Sequence, residues 1–101
     1  MNEAEVWIAV HDQTIAGFLA LQPGWLDHLY LAPRATGHGL GARFVELAKL
    51  EQPAGLDLWA FQSNTGARSF YRRHGFVEIA YTDGDNEEGQ PDVRCAWRPE
   101  S

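Results

Sequence analysis

The chain has 101 residues, 45% hydrophobic and 22% charged, with four Trp among its aromatics, which is room for one domain over 1–101 with one modest core. Eight Lys and Arg against fourteen Asp and Glu leave a net charge of −6, a poor match to a long phosphate backbone or an anionic membrane, so neither nucleic acid nor membrane is expected as a partner. The single cysteine, Cys95, excludes an internal disulfide and disfavours a Cys-based zinc site.

His11, His28, His38 and His74 have no metal-ligand spacing, so no metal is expected. No apolar run approaches the roughly 18 residues of a membrane span. Met1 leads into Asn2, Glu3 and Glu5 rather than a basic signal segment. A cytoplasmic protein is the expectation.

Val6, Ile8 and Val10 alternate with Trp7, Ala9 and His11, the period of a half-buried strand. Asp12-Gln13 reads as a tight turn, residues 14–21 as a second strand with Gly17 as a candidate bulge, and Pro23-Gly24 as a break. Residues 25–31 form a third strand ended by Pro33. Connections this short imply an antiparallel meander.

The period then changes. Leu40, Phe44, Leu47 and Ala48 recur at helical spacing, and Pro53 with Gly55 closes that helix near Glu51. Residues 56–61 suit a buried strand parallel to the third, reached by a helical crossover. Ser63 or Asn64 caps a second helix whose face carries Ala67, Phe70, Tyr71 and His74, with Gly75 just past its end. Residues 76–82 and 93–98 read as two further strands around an acidic loop. The layout is βββ-α-β-α-ββ, an α/β chain with a mixed, mainly antiparallel sheet flanked by helices.

Gly37-His38-Gly39-Leu40-Gly41 puts three glycines in five residues between a strand and a helix. Backbone without Cβ can turn sharply and expose successive N–H groups beside the positive end of the helix, which makes a phosphate or pyrophosphate site. Gly41 is followed by Ala42-Arg43, not the Lys-Ser/Thr of a P-loop. The spacing G-x-G-x-G is not the dinucleotide fingerprint, and Asp57 begins its strand where that fold places its acid at the end.

The segment Asn64 to Phe76 has the form N-x-x-A-x-x-F-Y-x-x-x-G-F and lies one helix and one strand after Leu31-Ala32-Pro33-x-x-Thr36-Gly37-His38-Gly39-Leu40-Gly41. Together the two segments resemble the GNAT superfamily of N-acetyltransferases, over about Val6 to Trp97. The resemblance implies acetyl-CoA as co-substrate, its diphosphate held by the backbone N–H groups of Gly37, His38, Gly39, Leu40, Gly41 and Ala42. It implies that the third strand and the 56–61 strand splay. The pantetheine arm would lie between them, pairing with main chain around Leu29, Tyr30 and Leu31 and bordered by Asn64, Ala67, Phe70 and Tyr71. Tyr71 would protonate the leaving thiolate. Family members commonly carry Arg or Gln where this chain has Thr36; Arg34 could supply charge instead, or Thr36 a hydroxyl hydrogen bond. Arg68, Arg72 and Arg73 could reach the 3′-phosphate or simply be solvated.

The implied reaction is direct attack of a primary amine on the thioester, with a strand N–H meeting the oxyanion. Asp27, on the strand face of Trp25, Leu29 and Leu31 by parity, is the candidate base or water relay. It could equally be a capping or salt-bridged Asp. His28 points the other way, though its side-chain type suits proton transfer better.

The alternative function is a GNAT-like module that binds acyl-CoA without turnover; a third is a fragment that needs a partner to complete its sheet. Against the family the chain is short, without the usual first strand and following helices. The strand at 6–11 is therefore expected to be an exposed edge, a homodimer to form, and the pocket for the amine acceptor to be open or partly built by a second subunit.

Overall fold

The alternating start of the chain becomes β1, Glu5–His11, which turns at Asp12-Gln13 into β2, Thr14–Gln22, and then β3, Trp25–Leu31. Asp12 and Gln13 have φ of 51° and 63°, the left-handed pair that a two-residue hairpin turn needs to match the twist of its strands. A short 3-10 turn, Pro33–Ala35, precedes α1, Leu40–Glu51. There follow β4, Leu56–Phe61, α2, Thr65–Arg73, β5, Val77–Tyr81, and β6, Asp92–Trp97. The computed structural model describes residues 5–37, 39–84 and 89–99.

The six strands form one sheet in the order β1-β2-β3-β4-β6-β5. All neighbours are antiparallel except β3 and β4. The two crossovers, through α1 and α2, move the same way along the sheet, so right-handed connections put both helices on one face. Contacts agree: Lys49 Nζ, near the end of α1, donates to the His74 carbonyl at the end of α2. Phe44, Val45 and Ala48 of α1 pack on Leu19, Leu21, Leu26, Leu56, Leu58, Val93 and Cys95, with Phe70 and Tyr71 of α2 beside them. Each fully buried aliphatic side chain contributes roughly 1.5–3 kcal/mol, so this helix-covered face holds the fold together.

The half-buried side of β1 is Trp7 and Ala9, whereas Val6, Ile8 and Val10 are 58–64% exposed. Strand pairing sets Val6, Ile8 and Val10 beside Ala20, Phe18 and Ile15, and Phe18 and Ala20 beside Tyr30 and His28. These residues line the face opposite the helices.

Two bulges revise the alternation read from sequence. Ala9 pairs with Gly17 and Val10 with Ile15, so the extra residue is Ala16, not Gly17. Gly17 answers to close approach instead: a Cβ there would stand 2.5 Å from the Tyr30 carbonyl oxygen. In β3, Ala20 pairs with His28 and Leu21 with Leu26, leaving Asp27 as the bulged residue. The bulge inverts parity across it. Trp25 therefore lies on the open face and Leu29 and Leu31 on the helix face, and Asp27 does not share a face with all three as strict alternation predicts.

Candidate functional site

β3 and β4 pair at one position only, Trp25 with Asp57, and then separate. The start of β4 is pinned hard. Asp57 is 3% exposed and accepts from Arg94 Nε at 2.8 Å and from Arg98 Nη1 at 2.8 Å. Arg94 also lies over the Trp25 ring, 4.9 Å from its centroid. Burial alone pushes the Asp57 carboxyl up, but the hydrogen bonds and charges of Arg94 and Arg98 outweigh it and hold the carboxyl below its ordinary value. Past this clamp nothing ties the facing backbones of β3 and β4 together.

The separation opens a cleft of about 520 Å³ lined by Leu26, Asp27, His28 and Leu29 of β3, Leu58 to Phe61 of β4, Asn64, Ala67 and Tyr71 from the α2 side, and Asp92. Leu29, Leu58 and Ala60 belong to the helix face, His28, Trp59 and Phe61 to the open face. The cleft is thus a slot through the sheet, with α2 at one mouth and the opposite face of the sheet at the other. Backbone along its walls is free to accept an extended ligand as if it were a strand.

Tyr71 stands at the helix-side mouth, its ring edge-on to Phe70 at 5.2 Å and to Phe76 at 5.5 Å. Burial, with a smaller contribution from Cys95, pushes its phenol up to about 12. Tyr71 is therefore a neutral phenol throughout the ordinary pH range. Asn64 caps α2, its Oδ1 accepting from the Ala67 N–H at 3.1 Å. At the other side Asp27 accepts from Gln22 Nε2, which orients its carboxylate at the rim beside His28.

The glycine run lies outside the slot and meets its surroundings through Gly41, which faces Leu31 and Phe70. Gly37 and Gly39 have φ of 83° and 80°, with nothing within 4 Å of a Cβ at either. Both positions need glycine for conformation, not space. Gly39 is the N-cap of α1, without a side-chain cap, and the first turn holds no acidic residue. The first backbone bond of the helix runs from Arg43 N to Gly39 O, so the N–H groups of Leu40, Gly41 and Ala42 point out at the positive helix end. Gly41 is buried for another reason, since a Cβ would meet the Phe70 ring at 3.2 Å and Leu31 at 3.3 Å. His38 lies outside the described residues.

Of the residues singled out from sequence, the slot gathers Asp27, Leu29, Asn64, Ala67 and Tyr71. Leu31, Gly41 and Phe70 pack together between slot and loop. The Tyr30 side chain is on the open face, stacked on Phe18 at 5.5 Å, so only its main chain can serve a ligand on the helix side. Thr36 Oγ1 donates to the Pro33 carbonyl at 2.8 Å and Arg34 Nη2 to the Ile15 carbonyl at 3.0 Å. Both are engaged within the protein. Arg68 binds Glu78 through two nitrogens, at 2.8 and 3.0 Å, and also the Gln62 carbonyl, which makes it a strut between α2 and β5. Trp59, Phe61 and Asp92 were not marked by any motif; the alternation of β4 against its buried Leu56 and Leu58 was the available signal. Among the described residues no cluster could hold a metal ion, and no helix is long and apolar enough to cross a membrane.

Residues 2–78 match the family model of the acetyltransferase (GNAT) domain. The peptidyl-lysine N-acetyltransferase YjaB of Salmonella typhimurium (strain LT2) is 39% identical over 87 residues, which are 85% of this chain and 59% of that protein. The solution structure of apo YjaB from Escherichia coli superposes with a TM-score of 0.81 at 28% identity, over 91% of this chain and 63% of the other. A GNAT family acetyltransferase from Elizabethkingia anophelis with acetyl-CoA bound shares the fold, with a TM-score of 0.83 at 16% identity, over 96% and 77%. The chain spans about three fifths of the length of the curated relative it matches.

Proposed function

The chain belongs to the GNAT acetyltransferase family, and from that premise we propose that it transfers an acetyl group from acetyl-CoA to a primary amine of a small molecule or a protein. The observation that carries this is the slot through the sheet, with a half-buried neutral phenol at one mouth and an uncapped helix N-terminus packed against the helix that bears it.

Bound acetyl-CoA supplies the reactive thioester. The N–H groups of Gly37, Gly39, Leu40, Gly41 and Ala42, together with His38 of the same loop, hold its diphosphate by backbone donation and the helix dipole. This suits a loop whose Thr36 and Arg34 side chains are already engaged. Main chain of Leu29, Tyr30 and Leu31 receives the extended arm, with Asn64, Ala67 and Phe70 on its other side. Tyr71 donates its hydroxyl proton or a hydrogen bond to the departing sulfur, and the apolar surroundings that keep the phenol protonated also raise the proton affinity of a thiolate beside it. The acceptor amine enters from the open face, where Asp27 at the rim takes its proton directly or through water, with His28 as the adjoining alternative. The relative's action on peptidyl lysine supports a lysine side chain as the first acceptor to try. We place the protein in the cytoplasm, and we carry a homodimer formed through the edge strand β1 as part of the proposal.

The test is thiol release from acetyl-CoA with a panel of lysine peptides and small amines, alongside thermal stabilisation by CoA. Release with at least one amine, lost in Tyr71→Phe, is expected. Stabilisation with no release across a broad panel would instead favour an acyl-CoA-binding module without turnover. Absence of stabilisation overturns both.

A further inference from the structure

Arg94 reaches across three strands. It stands on β6, donates from Nε and Nη2 to the Asp57 carboxylate of β4, and lies over the Trp25 ring of β3 at 4.9 Å. Among the described residues Trp25 and Asp57 are the one pair that joins β3 to β4, so this side-chain bridge sits at the vertex from which the slot opens. None of the three is among the described residues that line the slot. We propose that Trp25 and Arg94, seated on Asp57, are positioning residues for the transfer reaction, and that their contact sets the width of the slot in which thioester and amine meet. This role rests on the acetyl-CoA reading of the slot.

Backbone bonds at the vertex fix where β4 starts. The Asp57 N–H donates to the Gly24 carbonyl at 2.8 Å, and the Gly24 N–H donates to Gln52 Oε1, just past α1, at 3.0 Å. They do not fix the angle at which β3 leaves, and that falls to side chains. The bulge at Asp27 bends β3 away from β4, and the Trp25 ring against the Arg94 guanidinium limits the divergence. Arg94 cannot follow β3 outward, because it would leave the buried Asp57 carboxylate with Arg98 alone. Arg98, by contrast, bonds Asp57 and the carbonyls of Leu56 and Trp97, all on the β4 and β6 side.

The lever is long. At about 3.3 Å per residue, Leu29 and Leu31 lie roughly 13–20 Å along β3 from Trp25, so a swing of about 5° at the vertex displaces them by roughly 1–2 Å. Asp27 rides on the same strand, whereas Tyr71 lines the slot from the α2 side. An error of that size between reacting groups can cost about 10²-fold in rate.

The test compares CoA, whose arm needs the slot, with ADP, which carries a diphosphate but no arm. Calorimetry gives the ratio of the two affinities, and thiol release with the most reactive amine of the panel gives turnover. Trp25→Leu leaves the ion pairs of Asp57 whole, and Arg94→Gln removes the cation. Each should cut the CoA-to-ADP affinity ratio about tenfold, the scale of a partly desolvated cation over an indole, and lower turnover by at least as much. Arg94→Lys keeps a cation between ring and carboxylate and should restore most of both. Arg98→Gln should lose stability in urea but keep the wild-type ratio, since Arg98 does not touch β3. Circular dichroism establishes that each variant is folded, and Trp25→Leu carries the test if Arg94→Gln does not fold. A wild-type ratio in Trp25→Leu overturns the assignment. So does a ratio that falls equally in Arg98→Gln, because the clamp then acts through stability alone. The affinity ratio decides even where no amine of the panel is acetylated. A wild-type chain that binds neither CoA nor ADP overturns the acetyl-CoA reading and this role with it, whereas CoA binding that ignores the bridge removes the role alone.

Discussion

The edge of the Phe70 ring stands 3.2 Å from where a Cβ on Gly41 would sit. That contact seats α2 on the first turn of α1 and so fixes Tyr71, the next residue along, relative to the glycine loop. The three glycines of the run therefore divide: Gly37 and Gly39 shape the turn, and Gly41 admits the neighbouring helix.

The division predicts two different phenotypes. Gly41→Ala has backbone it can adopt, but its methyl presses on the movable ends of Phe70 and Leu31. The expected cost is about 1 kcal/mol of stability, with turnover reduced more than CoA affinity because Tyr71 moves with its neighbour. Gly39→Ala meets no atom but must hold φ near 80°, a strain of ~1–2 kcal/mol taken at the N-cap itself, so CoA affinity should fall first. Thermal melts with calorimetric titration of CoA separate the two. Weakened CoA binding in Gly41→Ala at unchanged melting temperature would place Gly41 among the ligand-shaping glycines instead.

Tyr71→Phe keeps the rings of Phe70 and Phe76 in contact and removes only the hydroxyl. Turnover should fall on the order of 10²-fold or more, the scale of a lost general acid, with little change in KM for acetyl-CoA. The same substitution has a signature without substrate. Burial raises the folded phenol from 10.0 to about 12, so the unfolded chain loses this proton first as pH climbs. The stability it contributes is whole below pH 10 and drains away as pH rises through that window. In Tyr71→Phe the alkaline limb of the stability curve should be shallower, measured by urea denaturation between about pH 9 and 12. An unchanged limb would mean that Tyr71 is more solvated than its packing indicates.

Glu78 shifts the opposite way. The bonds from Arg68, against the opposing effect of burial, bring its carboxyl from 4.5 down to about 2. Here the unfolded chain takes up the proton first, so the contribution is complete above about pH 4.5 and is lost as pH falls toward 2. Glu78→Gln should lower the melting temperature at neutral pH and flatten the acid limb, because Arg68 then loses its two-nitrogen partner between α2 and β5. An acid limb identical to wild type would show that the pair is broken in solution.

Much of the local structure around the glycine run and α2 was legible because it is set by near neighbours in the chain. The strand-glycines-helix order, the Asn64 cap and the Phe70-Tyr71 pair are set within a few residues of one another, and β4 fell at 56–61 as its bounding Gly55 and Gln62 suggest. What alternation could not reveal was non-local. The bulge at Asp27 depends on β2 lying alongside, and it reverses which side Trp25 occupies. That Trp7 and Ala9, rather than Val6, Ile8 and Val10, are the half-buried set of β1 depends on where the helices cross, since both sets are apolar enough to face the core. The clamp of Asp57 by Arg94 and Arg98 joins residues 37 or more apart in the chain, and no motif announces it.

The hairpin at Asp12-Gln13 offers a gain rather than a loss. Both residues hold positive φ, and at such positions a Cβ costs energy that glycine avoids. Asp-Gly is the preferred pair for this turn, so Gln13→Gly should stabilise the fold by about 0.5–1 kcal/mol, after subtracting the greater freedom glycine has in the unfolded chain. The exposed Gln13 side chain has no packing to lose. Gln13→Ala is the control: it removes the same side chain but keeps the Cβ, so it should bring no gain. Equal stabilisation by both substitutions would assign the cost to the glutamine side chain rather than to the left-handed backbone. Thermal melts at one fixed protein concentration decide between them, which keeps any mass-action contribution to the apparent stability the same for each variant.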